Sequence, residues 1–491
     1  MKKNILIGLL FVTFFCCCSE YKGKENHKNL LEPPLNYQHD PLKLGSYLFI
    51  TSNMDSLEHL SKTGQNVKDV YSIDKTYLVE NIDQAVKASK CLIDKKIISI
   101  QDFNEYVLPY RINSSKIDNW RKDVLLKYHN KYSVTLINNE VSLINTCNLI
   151  NNELKTWFKF GAIKADDGVL SYSDLCSNKQ SSCVGMAYLA AYTLRGLGIP
   201  VAIDYAPVWG NVNGGHTWNS LVTRTKKVNS FLGAENNIGS YSPLNLVSNE
   251  SPSLSTYKKP GKIYRFTFSV QKKSLAYKYG NSGSLPSELT ETRIIDVTKD
   301  YVPVKDIIFK PLKIHPKFLF ICNYNSGAWT PVMAALFGNN QYLFRDMGRD
   351  MLYGAFSYDQ HSLNSFDYPV YVDVSGKSIV LSPNNKKLID IKLIRTQSIE
   401  GDQLQEMIKG WNYEKFIDIA KGKSYAKPLN GKRYTLYCWN GSWTVVGSTH
   451  AANNVVDFKA VPSNGLYLLS SKESISNERP FIILNDSIKW L

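Results

Sequence analysis

Three patterns of apolar and polar residues follow one another along the chain. From about residue 41 to 155 apolar side chains recur at three- and four-residue spacing, as in Leu78 to Lys95 and in the run from Ile117 through Tyr128. That spacing places them on one face of an α-helix. Asp118 ahead of Trp120-Arg121-Lys122-Asp123 has the form of a capped helix start. Between about 156 and 262 the pattern changes. Ser181-Ser182 precede an apolar run of small residues from Cys183 to Leu197, Gly198 ends it, and Pro200-Val201-Ala202-Ile203 follows as a strand. A glycine-rich turn, Asn213-Gly214-Gly215, then leads into a second strand, His216 to Val222. Beyond about 263 helical periodicity fades, and short β-branched and aromatic runs alternate with turns.

The last part repeats itself. Trp329-Thr330-Pro331-Val332 matches Trp443-Thr444-Val445-Val446, Phe344 and Phe458 each stand 15 residues after their tryptophan, and Tyr353 and Tyr467 each stand 24 after it. Cys322 and Cys438 lie shortly before the tryptophans, and Pro369 and Pro480 each lead a closing strand. Shared intervals of this kind predict two related β-sandwich modules, with Asp402 to Ile419 as a short helical insertion. The fold class expected is therefore multidomain α+β. A helical subdomain covers 41–155, a core covers 156–262, and the two modules cover 263–390 and 391–491.

The start of the chain has a different character. Lys2 and Lys3 precede an apolar stretch from Ile5 to Phe15, which has signal-peptide length and is too short to span a membrane comfortably. It runs into Cys16-Cys17-Cys18 and then turns polar. This order resembles the bacterial lipobox, and residues 1–18 read as a lipoprotein signal peptide with the lipid on Cys18. Phe14 and Phe15 stand where small residues are usual. Residues 19–40, with Pro33-Pro34, read as a tether. The expected location is the cell envelope, lipid-anchored at the outer membrane.

The 491 residues exceed one core, in keeping with three to four domains. A net charge of +15 arises mainly from 47 lysines against 11 arginines, scattered and interleaved with asparagine. Nucleic-acid binders concentrate such charge on one element, so no nucleic-acid partner is expected. Six cysteines remain after residue 18, too few for a disulfide scaffold. Without a CxxC pair, HExxH or P-loop, neither a metal nor a cofactor is expected.

Cysteine chemistry requires a thiolate, which a helix N-terminus and a nearby imidazole both favour. Cys183 follows Ser181-Ser182 at a helix start. His216 is the one histidine between His129 and His315, and so the candidate to take the thiol proton and return it to a leaving group. A third group must orient the ring; Glu235 is the first candidate, with Asn219 and Asn236 as rivals. Gln180 stands upstream as a candidate oxyanion donor beside the backbone N–H of Cys183. A Cys176–Cys183 bridge would silence the thiol.

Three strings carry a resemblance: Ser182-Cys183-Val184-Gly185-Met186-Ala187, Leu194-Arg195-Gly196-Leu197-Gly198-Ile199-Pro200-Val201 and Gly215-His216-Thr217-Trp218-Asn219. In order and spacing they resemble the core of the transglutaminase-like superfamily. The resemblance implies a papain-like fold with Cys183 as nucleophile and His216 as base. The family's third member is usually an Asp on the next strand; none stands in that window here, and Glu235 replaces it in charge. Phe103 to Arg111, Trp120-Arg121 and Gly233-Ala234-Glu235 further resemble multidomain lipoproteins of Bacteroidetes-type bacteria.

The function expected is acyl transfer at an amide through a Cys183 acyl-thioester, by a protease, amidase or transglutaminase-type acyltransferase acting on peptide or protein. The alternative is a non-enzymatic surface protein whose tandem β-modules bind glycan or protein. In that case Trp329 and Trp443 would serve as platforms rather than core residues.

Overall fold

The computed structural model describes residues 29–60, 66–132, 134–161, 170–225, 227–246, 257–311, 315–409, 413–472 and 478–491. Cys18, the signal segment 1–18 and residues 19–28 of the expected tether lie outside these residues. The chain divides into two compact units. One comprises Met1–Ile203, Trp218–Gly239 and Phe266–Val270; the other comprises Asp204–Thr217, Ser240–Arg265 and Gln271–Leu491.

The first unit is mainly helical. Helix α1 (Pro41–Asn53) starts with Pro41 in its first turn, and the Asp40 carboxylate accepts from the N–H groups of Leu42 and Lys43. Helix α2 (Lys75–Asp94) buries Leu78, Ile82, Ala85, Val86 and Leu92, the stripe that the apolar spacing implies. Helix α3 (Trp120–Tyr128) is shorter than the run from Ile117. Asn119 occupies its N-cap position, and the Asp118 carboxylate accepts from the Ser173 N–H and hydroxyl. Helix α4 (Glu140–Trp157) opens with a capping box formed by Asn139 and Ser142. Within the segment expected to be a tether, Tyr37 is buried and its hydroxyl donates to Asp83 at 2.9 Å. The packed fold therefore begins before residue 41.

Two buried arginines tie these helices together. Arg111 lies 2.8 Å from the fully buried Asp69 carboxylate, which also accepts from the Tyr110 hydroxyl at 2.6 Å and meets His59 Nδ1 at 2.8 Å. Arg121 donates to Asn81 Oδ1 and to the carbonyls of Val107 and Arg195. Burial draws its pKa down to about 9. Helix α5 (Cys183–Gly196) is buried from Gly185 onwards. An antiparallel ladder, Glu58–Leu60 against Asn66–Lys68, interrupts the otherwise helical sequence. Strand β1 (Val201–Ala206) follows α5, and β2 (His216–Leu221) pairs with β3 (Ser230–Phe231) through Asn219↔Phe231.

In the second unit the far end of β1 pairs with β4 (Tyr264–Phe266), and Arg265 Nε lies 2.7 Å from Asp204. Strand β4, just beyond the expected boundary at 262/263, thus pairs with a strand that begins in the expected core.

Two sets of strands with the same connectivity follow. The first consists of β5 (Val304–Phe309), β6 (Phe318–Asn325), β7 (Ala328–Leu336), β8 (Tyr342–Gly348), β9 (Met351–Tyr358), β10 (Val370–Val372) and β11 (Ser378–Val380). They form a sheet in the order β7-β6-β9-β10-β11, to which Leu363–Ser365 adds a short strand paired with β9, and a separate β5–β8 ladder. The second consists of β12 (Asn384–Leu393), β13 (Arg433–Trp439), β14 (Trp443–His450), β15 (Val456–Ser463), β16 (Leu466–Ser470), β17 (Pro480–Leu484) and β18 (Ser487–Trp490). Its sheet runs β14-β13-β16-β17-β18 beside a β12–β15 ladder. Each set has its own apolar core. The 390/391 boundary cuts β12, which belongs with the second set through Leu393↔Val456. Two helices, Ile399–Lys409 and Tyr413–Ala420, occupy the expected insertion.

Trp329 and Trp443 are partly buried and share a third cluster drawn from both sets. Trp439 lies between them, its ring centroid 5.4 Å from Trp329 and 5.2 Å from Trp443.

Candidate functional site

Cys183 is the first residue of α5. The Ser182 hydroxyl caps the helix by accepting from the Val184 N–H at 3.2 Å. Serine is favoured at that position because its oxygen satisfies an amide that has no partner within the helix. The thiol therefore sits at the positive end of a 14-residue helix. It is in no disulfide and is partly exposed. Cys176 is likewise unbridged, so the bridge that would silence Cys183 is absent. Burial raises the thiols of Cys147, Cys176, Cys322 and Cys438, the last to about 11.

Gln180, on a short strand that pairs parallel with Lys159–Phe160, is exposed three residues upstream of Cys183.

The wall of α5 is fixed by Asn219. Its amide donates to the Ala187 carbonyl at 2.8 Å and accepts from the Gly233 N–H at 3.1 Å, with both partners in the same unit. Gly233 sits so close that a Cβ there would lie 2.3 Å from the Met186 carbonyl oxygen. Asn219 is a structural bracket between α5 and the turn at Gly233.

Glu235 is exposed on the turn that follows Gly233, and its charge acts on Lys155. Asn236 is buried in the same turn, where its carbonyl accepts from Asn151 at 3.2 Å.

His216 belongs to the second unit. The loop before it is braced from the strand sets. Asn325 donates to the carbonyls of Trp209 and Val212 at 2.8 and 3.0 Å and accepts from the Gly214 N–H at 3.0 Å. Buried Arg479 donates to the carbonyls of Gly210 and Tyr324. Gly215 is required by close approach, since a Cβ would lie 2.4 Å from the Pro207 carbonyl oxygen. Together these contacts fix where β2 begins.

His216 Nε2 lies 2.8 Å from the Tyr241 hydroxyl. Burial, followed by the nearby Lys258 ammonium, pulls the imidazole pKa down to about 3, so the ring is neutral around pH 7. Tyr241 escaped the sequence reading because it is one of 30 tyrosines in an irregular segment, with no pattern linking it to a histidine 25 residues earlier.

Among the described residues no group of His, Cys, Asp and Glu is placed to hold a metal ion.

No family model and no curated protein matches the chain. Among solved structures, a candidate cysteine protease from Cytophaga hutchinsonii aligns over 24% of this chain at 15% identity, with a TM-score of 0.19. The alignment takes in 38% of that protein's length. Red sea bream transglutaminase aligns over 77% of this chain and 76% of its own, at 11% identity and a TM-score of 0.23. At this degree of similarity the functional reading rests on the residues themselves.

Proposed function

We propose that the chain is a cysteine-dependent amide hydrolase acting on peptide or protein. Cys183 is the nucleophile and His216 the general base and acid. The pairing comes from the order of the sequence motifs; Cys183 lies in the first unit and His216 in the second.

The reaction balances as two acyl transfers. The imidazole takes the Cys183 thiol proton as sulfur attacks the amide carbonyl and forms a C–S bond. The C–N bond then breaks, and the imidazolium proton leaves with the amine. Water, deprotonated by the same ring, hydrolyses the thioester and restores the thiol. Hydrolysis is preferred to crosslinking because it needs no second substrate site.

The observation that carries this reading is the place of Cys183, a partly exposed thiol outside any disulfide on the first residue of a capped helix. A neutral imidazole at His216 is the protonation state that a base requires.

The glycan-platform reading draws no support from the tryptophans, since Trp329, Trp439 and Trp443 pack on one another. Incubating peptide libraries with the full chain tests the proposal. Cleavage that disappears in Cys183→Ala is expected, and cleavage that survives it would refute the assignment.

We also propose export and lipidation at Cys18, on the strength of residues 1–18. In a bacterial host, fatty-acid label is expected on the full chain and not on Cys18→Ala; equal labelling of both would contradict it.

A further inference from the structure

We propose that Tyr241 is the positioning residue for His216, standing where the sequence suggested Glu235. This rests on the reading of His216 as the base.

An imidazole that accepts a proton at one nitrogen needs its other nitrogen held, both to fix the tautomer and to stop the ring from rotating. Such rings usually have a carboxylate or amide oxygen at the second nitrogen, and here the contact is the Tyr241 hydroxyl on Nε2. Of the residues considered from the sequence, Asn219 is committed to Ala187 and Gly233. Glu235 is exposed and its charge acts on Lys155.

A base acting through Nδ1 must carry its proton on Nε2. The Nε2–H then donates to the Tyr241 oxygen, and Nδ1 is the atom that takes the proton. A neutral phenol suits this site better than a carboxylate in one respect. It orients the ring without a full negative charge, so it does not by itself raise the imidazole's basicity, in keeping with a ring that stays neutral beside Lys258. The prediction is a positioned, weakly basic imidazole that does its work during attack, in place of a resting thiolate–imidazolium pair.

Two measurements on the full chain test this. The first is ¹⁵N NMR of histidine-labelled protein. His216 is expected as a single Nε2–H tautomer near pH 7, and as a mixture of tautomers in Tyr241→Phe. A Nδ1–H tautomer in the native protein would overturn the proposal, and this outcome does not depend on any variant folding.

The second is the pH profile of Cys183 alkylation by iodoacetamide, read by peptide mass spectrometry in the native chain, His216→Asn, Tyr241→Phe and the double variant. His216→Asn is expected to slow alkylation at neutral pH about 10-fold, at the low end of what a general base contributes. Tyr241→Phe should move the profile the same way by a smaller factor, with no further effect in the double variant. If His216→Asn changes the profile and Tyr241→Phe leaves it native, Tyr241 does not position the ring and the nucleophile–base assignment stands. If His216→Asn itself changes nothing, the base assignment fails, and the Tyr241 proposal with it.

Discussion

Replacing Asn219 with alanine removes two buried hydrogen bonds at once. One holds the Ala187 carbonyl of the helix that begins with Cys183, and the other satisfies the Gly233 N–H. The Gly233 backbone already lies against Met186 and Ala190, so it cannot shift toward the helix to recover a partner. A buried amide deprived of its acceptor costs about 1–3 kcal/mol, and the lost bond to Ala187 adds about 1 kcal/mol, giving about 2–4 kcal/mol in all. At about 2–4 °C per kcal/mol for a folded unit of 150–250 residues, the transition should fall by about 4–16 °C. Calorimetry of the full chain reads this directly. Asn219→Asp should also be destabilised, because it keeps an acceptor for Gly233 but sets a carboxylate oxygen against the Ala187 carbonyl. The pH profile of Cys183 alkylation at 25 °C should stay native in both variants. A Tm within about 1 °C of native together with an altered profile would show that Asn219 serves the chemistry and that the bracket argument is wrong.

Other perturbations have equally definite outcomes. Asp69→Ala leaves Arg111 charged and buried, and chemical denaturation should show a loss of about 3–5 kcal/mol, the usual cost of breaking such a pair; a loss below about 1 kcal/mol would mean the pair is dispensable. His216 has a folded pKa near 3, below the ordinary histidine value of 6.5. Between those values the unfolded chain binds more protons, so this group's contribution to stability is intact above about pH 6.5 and is lost as pH falls toward 3. Urea denaturation should therefore show the native chain losing stability faster than His216→Asn from pH 7 to pH 4, and parallel curves would contradict a depressed pKa.

The helices with a full apolar stripe were legible in the sequence because helical period and burial coincide, as they do from Leu78 to Leu92. The start of α5 was legible because a serine cap, a cysteine and an apolar run make a local signal. The β repeat could be read because its tryptophan, phenylalanine and tyrosine intervals recur on strands of the same order. What stayed hidden depends on non-local pairing. Tyr264–Phe266 looks like any short apolar strand until its pairing with Asp204 and Tyr205 is seen. Asn384–Leu393 is largely exposed and shows no clean alternation, so nothing in it announces which set it joins. Tyr241 and Asn219 are single polar contacts, and a polar contact between distant residues leaves no periodic trace.

The central claim is that Cys183 has a chemistry the other thiols lack, and competitive labelling tests it most directly. Cys91, Cys176 and Cys183 are all partly exposed, so access alone would let reagent reach each of them, while Cys147, Cys322 and Cys438 are buried. The full chain is treated with limiting iodoacetamide at pH 7, and the rate at each cysteine is read by peptide mass spectrometry. Cys183 is predicted to react at least about 10-fold faster than Cys91, the low end of what a positioned general base contributes during attack. Equal rates at Cys91 and Cys183 would show that exposure alone governs reactivity and would contradict the assignment of Cys183 as the nucleophile.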